Sequence, residues 1–217
     1  MSRVQNENSE TKPSIRESNR TKIIEAASKI FASNGYTGTT VQQIAEHAEL
    51  PKANVLYYFK SKEGIYGAVL SEILSLWNSC LDDATVEDEP SEIFTRYIFE
   101  KMELSRTYPD ASKIFAMEII KGMPYLSEDM KHNMSEWFES RVALINEWIN
   151  LGKMQAVDPQ VLLFHIWSST QHYADFSAQI TSLRGEAMTV EDYDKASRYL
   201  ATSILAGCGL TPKFDIV

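Results

Sequence analysis

The chain has 217 residues, 44% of them hydrophobic and 24% charged, with a formal net charge of −9. That length buries the core of one or two domains, and no apolar run approaches the ~20 residues of a membrane span. Met1–Ser14 lacks the apolar centre of a secretory signal, and Cys80 and Cys208 lack a C-x-x-C spacing. The expectation is therefore a cytoplasmic globular protein with buried free thiols rather than a disulfide scaffold.

The charge divides unevenly along the chain. Residues 11–62 hold eight Lys and Arg against four Glu, whereas the remainder is strongly acidic. Phosphates attract such a head and repel such a body, which orients the molecule on nucleic acid. Residues 1–14 are polar and read as a disordered arm. A first helix is predicted from about Ile15 to Ser33, with Ile23, Ile24, Ala27, Ile30 and Phe31 as its apolar stripe. Asn34-Gly35 is its stop signal.

Thr39–Lys62, TTVQQIAEHAELPKANVLYYFKSK, reads as two short helices joined by a tight turn. Thr39 or Thr40 caps the first, whose buried face is Val41, Ile44, Ala45 and Ala48. Pro51 suits the first turn of the second, where its missing N–H has no partner anyway. Val55, Leu56 and Phe59 supply an inner face and leave Lys52, Asn54, Tyr57 and Tyr58 outward. Such a face is either simply solvated or a DNA reader, and paired tyrosines with flanking lysines favour the reader. In that reading Lys52 and Asn54 probe base edges in the major groove. Tyr57, Tyr58 and Lys62 anchor phosphates, with Thr39 and Thr40 at the preceding helix start adding contacts.

Ser61 caps a fourth helix through Ile65, Val69, Leu70, Ile73, Trp77 and Leu81, which connects head to body. After the acidic Asp82–Pro90 linker the periodicity predicts helices over 91–107, 110–121, 126–151, 159–184 and 190–206, the penultimate one opened by Asp158-Pro159. No strand-like alternation occurs. The predicted fold is all-α, with about nine helices: an arm (1–14), a helix-turn-helix domain (15–62), and a ligand-binding and dimerisation domain (63–210).

Within 159–184, Trp167, Gln171, Tyr173 and Asp175 place polar atoms in an apolar stretch. They are either core groups paired with neighbours or the polar points of an apolar pocket. The candidate pocket residues are Trp77, Met117, Trp167, Gln171, Tyr173 and Asp175. His165 and His172 share a face but have no nearby His or Cys partner, so no metal is assigned. No G-x-S-x-G, G-x-x-x-x-G-K or H-E-x-x-H motif occurs. The expectation is neither an enzyme nor a cofactor protein.

IIEAASKIFASNGYTGTTVQQIAEHAELPKANVLYYFKSKEGIYGAVL resembles the TetR family of transcriptional regulators. Ala27, Phe31, Gly35-Tyr36, Thr39, Ile44-Ala45, Phe59 and Ser61-Lys62-Glu63 carry the likeness. Leu56 stands where many members have tyrosine, which moves the phosphate contact onto Tyr57 and Tyr58, and Glu49-Leu50-Pro51 replaces the common Gly-Val-Ser. The resemblance implies a homodimer on a palindromic operator, most often as a repressor. Its last two helices would form the dimer bundle, and a small molecule in the body would bias the spacing of the heads. LYYFKSKEGIYGAVLSEIL, MELSRTYPDASKIFAMEII and DPQVLLFHIWSSTQHYADF resemble one branch of that family, the regulators of pyrimidine utilisation, and imply uracil or thymine as effector. Two alternatives stay open: the same fold sensing another small aromatic or apolar effector, and a helical protein–protein interaction module without DNA binding.

Overall fold

The computed structural model describes residues 14–216, the side chains of residues 78–80 and 216 excepted. Residues 1–13 of the expected arm (1–14) and the burial expected of Cys80 fall outside the described residues, whereas Ser14, expected in the arm, caps the first helix. Among those residues there are ten α-helices, a short 3-10 turn at Phe214–Ile216 and no strand. The chain divides into two compact units, Met1–Ile65 and Tyr66–Val217.

The first unit is built on α1 (Ile15–Gly38), α2 (Val41–His47) and α3 (Lys52–Phe59). Ser14 caps α1 and exchanges hydrogen bonds with Glu17, which satisfies two orphan donors of the first turn. That pairing holds the Glu17 carboxyl below its ordinary range. Gly35 leaves helical geometry at φ 67°, ψ 174°, where the Asn34-Gly35 stop signal lies, and a further short helical turn runs on to Gly38. Thr40, not Thr39, caps α2 by accepting from the Gln43 N–H at 3.2 Å. Glu49 turns the chain at φ 55°, and the Leu50 N–H closes the turn on the Ala45 carbonyl at 3.0 Å. Ile23, Ala27, Phe31, Ile44, Ala45, Val55 and Phe59 fill the interior, so one face of each helix is committed.

Between α3 and α4 (Lys62–Asp82) the backbone passes so close that position 64 has no room for a side chain. The Gly64 N–H bonds the Ser61 hydroxyl at 3.0 Å, and a Cβ on residue 64 would lie 2.1 Å from the Phe59 carbonyl oxygen. Gly64→Ala is expected to cost about 2 kcal/mol, because the obstacle is backbone and cannot swing away. Chemical denaturation reads this directly, and an unchanged midpoint would contradict it.

The second unit continues α4 and adds α5 (Pro90–Thr107), α6 (Pro109–Ile120), α7 (Glu128–Asn150), α8 (Pro159–Asp175), α9 (Ser177–Arg184) and α10 (Val190–Gly207). Helix α5 packs against both α8 and α10. Its inward residues Phe94, Tyr97 and Ile98 meet Trp148, Leu163, Ile166, Ala201 and Leu205, with Phe94 edge-on to Trp148 at 5.6 Å. Asp158 opens α8 by accepting from the N–H groups of Gln160 and Val161. The single helix expected over 159–184 is two, because Phe176 leaves helical geometry at φ −110°, ψ 23°. This break raises the count from about nine to ten. The acidic linker is fastened by Lys153, whose ammonium donates to the Val86, Glu87 and Asp88 carbonyls at 3.0 Å each. Cys208 is buried and burial pushes its thiol up. Among the described residues, no helix is long and apolar enough to cross a membrane.

Candidate nucleic-acid interface and ligand cavity

Helix α3 turns Val55 and Phe59 inward and leaves Lys52, Asn54 and Tyr57 on the surface; Tyr57 is 68% exposed. Leu56 is half-buried beside them, which suits its place between the two faces. Tyr58 is half-buried, and the Asn19 amide of α1 donates to its hydroxyl at 3.4 Å. The two tyrosine rings meet edge to face at 5.5 Å, and the Lys60 ammonium lies 5.4 Å from the Tyr57 ring. An aromatic surface held this way loses little freedom on contact, and each hydroxyl can approach a phosphate. Thr40 is exposed at the α2 cap.

Two of the expected contact residues sit differently. Thr39 is buried, and its hydroxyl donates to the Gly35 carbonyl at 2.7 Å. The Lys62 ammonium donates to the Tyr36 and Thr39 carbonyls at 2.9 Å each and lies 4.3 Å from the Tyr36 ring centroid. It closes the end of α1 onto the start of α4, as cations near helix C-termini do. Lys62→Met is expected to lower stability by about 1–2 kcal/mol and leave the salt dependence of DNA binding unchanged. A shallower salt slope at unchanged stability would instead make Lys62 a phosphate contact.

In the second unit, α4, α5, α6, α7 and α8 enclose a cavity of about 110 Å³. One water needs only ~10–15 Å³, so the space accepts a small ring. Its walls are Leu74, Trp77, Tyr97, Lys101, Phe115, Met134, Trp137, Trp167 and Gln171. Trp77 stands edge-on to Phe115 at 4.7 Å, and Trp137 lies 6.2 Å from Trp167. The Trp167 indole N–H donates to the Tyr97 hydroxyl at 2.7 Å. Lys101, only 3% exposed, places its ammonium 4.6 Å from the Trp77 ring centroid, a cation–π geometry. Among the described residues the Gln171 amide has no hydrogen-bonding partner in the protein. Apolar walls with an amide, a phenol and an ammonium are what orient a small polar aromatic ligand.

Of the six candidate pocket residues, the structure brings Trp77, Trp167 and Gln171 together and places three elsewhere. Met117 is half-buried on α6 but does not line the cavity. Tyr173 faces Tyr193 at 6.2 Å along a separate open depression with His172, Arg184 and Tyr199. Asp175 accepts from the Ser112 hydroxyl at 2.6 Å and acts as a packing carboxyl. His172 stacks on Phe176 at 4.9 Å, and among the described residues no three His, Cys, Asp or Glu side chains cluster as metal ligands would.

The sequence reading did not single out Tyr97, Lys101, Phe115 or Trp137. Lys101 had a signal: it falls on the apolar stripe of α5 with Phe94, Tyr97, Ile98 and Met102, where a lysine is out of place unless it serves a neighbour.

Burial raises the Asp175 pKa above the ordinary carboxylate range, a shift that the Ser112 hydrogen bond opposes. A carboxyl with a raised folded-state pKa binds more protons folded than unfolded, so it destabilises the fold as pH rises through that pKa. Asp175→Asn is therefore expected to flatten the fall in stability as pH rises above the ordinary carboxylate value, measured by thermal melts across pH. A steeper fall would contradict the assignment.

An exposed second helix on a tight two-helix turn, in a basic N-terminal unit, defines a helix-turn-helix DNA-binding regulator. Residues 23–69 match the family described as bacterial regulatory proteins, tetR family, and residues 70–211 match the YcdC-like protein, C-terminal region. The chain belongs to the TetR family of transcriptional regulators. It is 41% identical over 169 residues to the HTH-type transcriptional regulator RutR of Escherichia coli (strain K12), covering 78% of this chain and 80% of RutR. Its fold matches the ketosteroid transcriptional regulator KstR2 of Mycobacterium tuberculosis at TM-score 0.65 and 19% identity, over 87% of this chain and 94% of that one. It also matches AibR, solved with isovaleryl coenzyme A and operator DNA, at TM-score 0.63 and 16% identity, over 86% and 98%. TetR regulators bind operator DNA and small-molecule effectors and are typically dimeric.

Proposed function

We propose that this regulator binds a palindromic operator as a homodimer and is controlled by a pyrimidine base, uracil or thymine. The carrying observation is the aromatic cavity in which the Gln171 amide, the Tyr97 hydroxyl and the Lys101 ammonium share one wall system with Trp77 and Trp167. A flat ring with two carbonyls and an imide N–H needs stacking faces, donors for the carbonyls and an acceptor for the N–H. Lys101 supplies donors, and Gln171 supplies both. The likeness to RutR supports the same reading.

On the DNA side, Lys52 and Asn54 address base edges and Tyr57, Tyr58 and Thr40 address phosphates. Thr39 and Lys62 hold the turn that presents them. Residues 15–62 form the reading domain and 63–210 the sensing and dimerising domain, in the cytoplasm. Helix α4 starts at Lys62 and carries Trp77 to the cavity, so effector contact with Trp77 bears on the helix that leaves the reading domain. The dimer surface is formed by α8–α10, where Val161, Phe176, Leu183 and Tyr199 expose apolar side chains. Isothermal titration calorimetry with uracil and with thymine tests the effector. Saturable heat with one site per chain supports it, and the absence of heat and of any thermal shift overturns it.

A further inference from the structure

The aromatic cavity does not end at its apolar walls. A second cavity of about 150 Å³ is lined by Ser71, Leu74, Ser75, Met130, Asn133 and Met134. Leu74 and Met134 line both, so the two spaces meet at those side chains. The arrangement follows from helical spacing. On α4, Ser71, Leu74 and Ser75 share a face one turn before Trp77; on α7, Met130, Asn133 and Met134 share a face one turn before Trp137. At a rise of ~1.5 Å per residue, six residues of α4 carry the composite site roughly 9 Å from Trp77 to Ser71. Its character changes along that path, from five aromatic side chains at one end to two hydroxyls and an amide at the other.

We propose that the effector site is bipartite: the aromatic cavity holds a pyrimidine ring, and the Ser71–Ser75–Asn133 groove holds a hydroxyl-bearing substituent on it, so that a pyrimidine nucleoside is a ligand. This rests on the pyrimidine reading of the aromatic cavity. A ring substituted at N1 keeps both carbonyls and the N3–H for Gln171 and Lys101, and directs the substituent past Leu74 and Met134. The groove offers hydroxyls and an amide, which exchange hydrogen bonds with sugar hydroxyls. No Lys, Arg or His lines it, so a phosphate would meet no cationic partner among the lining residues. The class selected is therefore the neutral nucleoside over the nucleotide.

Calorimetry on the full chain with uracil, uridine, uridine monophosphate and ribose tests this, with 1-methyluracil and 3-methyluracil as probes of the ring edge. Uridine is expected to bind at least as tightly as uracil, the monophosphate more weakly, and 1-methyluracil more tightly than 3-methyluracil. Asn133→Ala and Ser71→Ala alter exposed positions and leave the fold intact. The pair is expected to weaken uridine by about five- to tenfold and leave uracil unchanged, the effect of losing one or two neutral hydrogen bonds. Uracil binding with uridine at least tenfold weaker overturns the bipartite site alone, as does an equal loss for both ligands in the variant. Binding of neither ligand overturns the pyrimidine reading and this inference with it.

Discussion

A Lys52→Ala/Tyr57→Ala double variant is expected to lose operator affinity by about 100-fold or more while melting at the wild-type temperature. Both side chains are exposed on α3, and neither takes part in the core of the first unit. A base-edge contact contributes roughly 1–3 kcal/mol, and a dimer loses each contact twice. The loss also has an electrostatic signature. In the proposed reading Lys52 neutralises charge near the duplex in each half-site, so the slope of log affinity against log salt should become shallower by about 2. Asn54→Ala, which carries no charge, should weaken binding without changing that slope. Fluorescence anisotropy at several salt concentrations separates the two. If the double variant binds as the wild type does, α3 is not the reading surface.

The second large effect belongs to Trp167→Ala. The indole forms a wall of the cavity, packs against the main core and donates to Tyr97. A fully buried tryptophan truncated to alanine costs 3–5 kcal/mol, and half-burial places Trp167 near the low end, at about 3 kcal/mol. For a unit of this size that lowers the melting temperature by about 6–10 °C. Effector affinity should fall at least tenfold, because the ring loses a stacking face. Gln171→Ala makes the contrast. Its amide has no partner in the protein, so stability should hold while effector affinity falls several-fold. A Gln171→Ala protein that binds effector normally would remove this residue from the site.

The helices and their caps were legible because each rests on local chemistry. Thr40, Ser61 and Asp158 each satisfy orphan N–H groups of the turn they precede, and that requirement is visible in the order of residues. The inner face of α3 was legible for the same reason of spacing. The break at Phe176 was not, since the stretch carries neither glycine nor proline there. The fate of Lys62 was hidden likewise, because its partners Tyr36 and Thr39 are more than twenty residues away. Half of the candidate pocket was legible. Trp77, Trp167 and Gln171 advertised themselves as large or polar groups at apolar positions, as Lys101 did unread. Tyr173 and Asp175 showed the same pattern for a different reason: Asp175 accepts from Ser112, and Tyr173 packs beside Tyr193.

In the proposed function a pyrimidine bound in the second unit changes the affinity of the first unit for DNA. The most direct test titrates the wild-type protein onto a labelled fragment from upstream of its own gene, with and without saturating uracil, by fluorescence anisotropy. The account predicts sequence-specific, salt-sensitive binding whose dissociation constant changes at least fivefold with uracil, the scale of a coupling of ~1–3 kcal/mol. In Gln171→Ala the change should need a several-fold higher uracil concentration, while DNA binding without uracil is unaltered. Specific binding at an identical dissociation constant with and without uracil would contradict it.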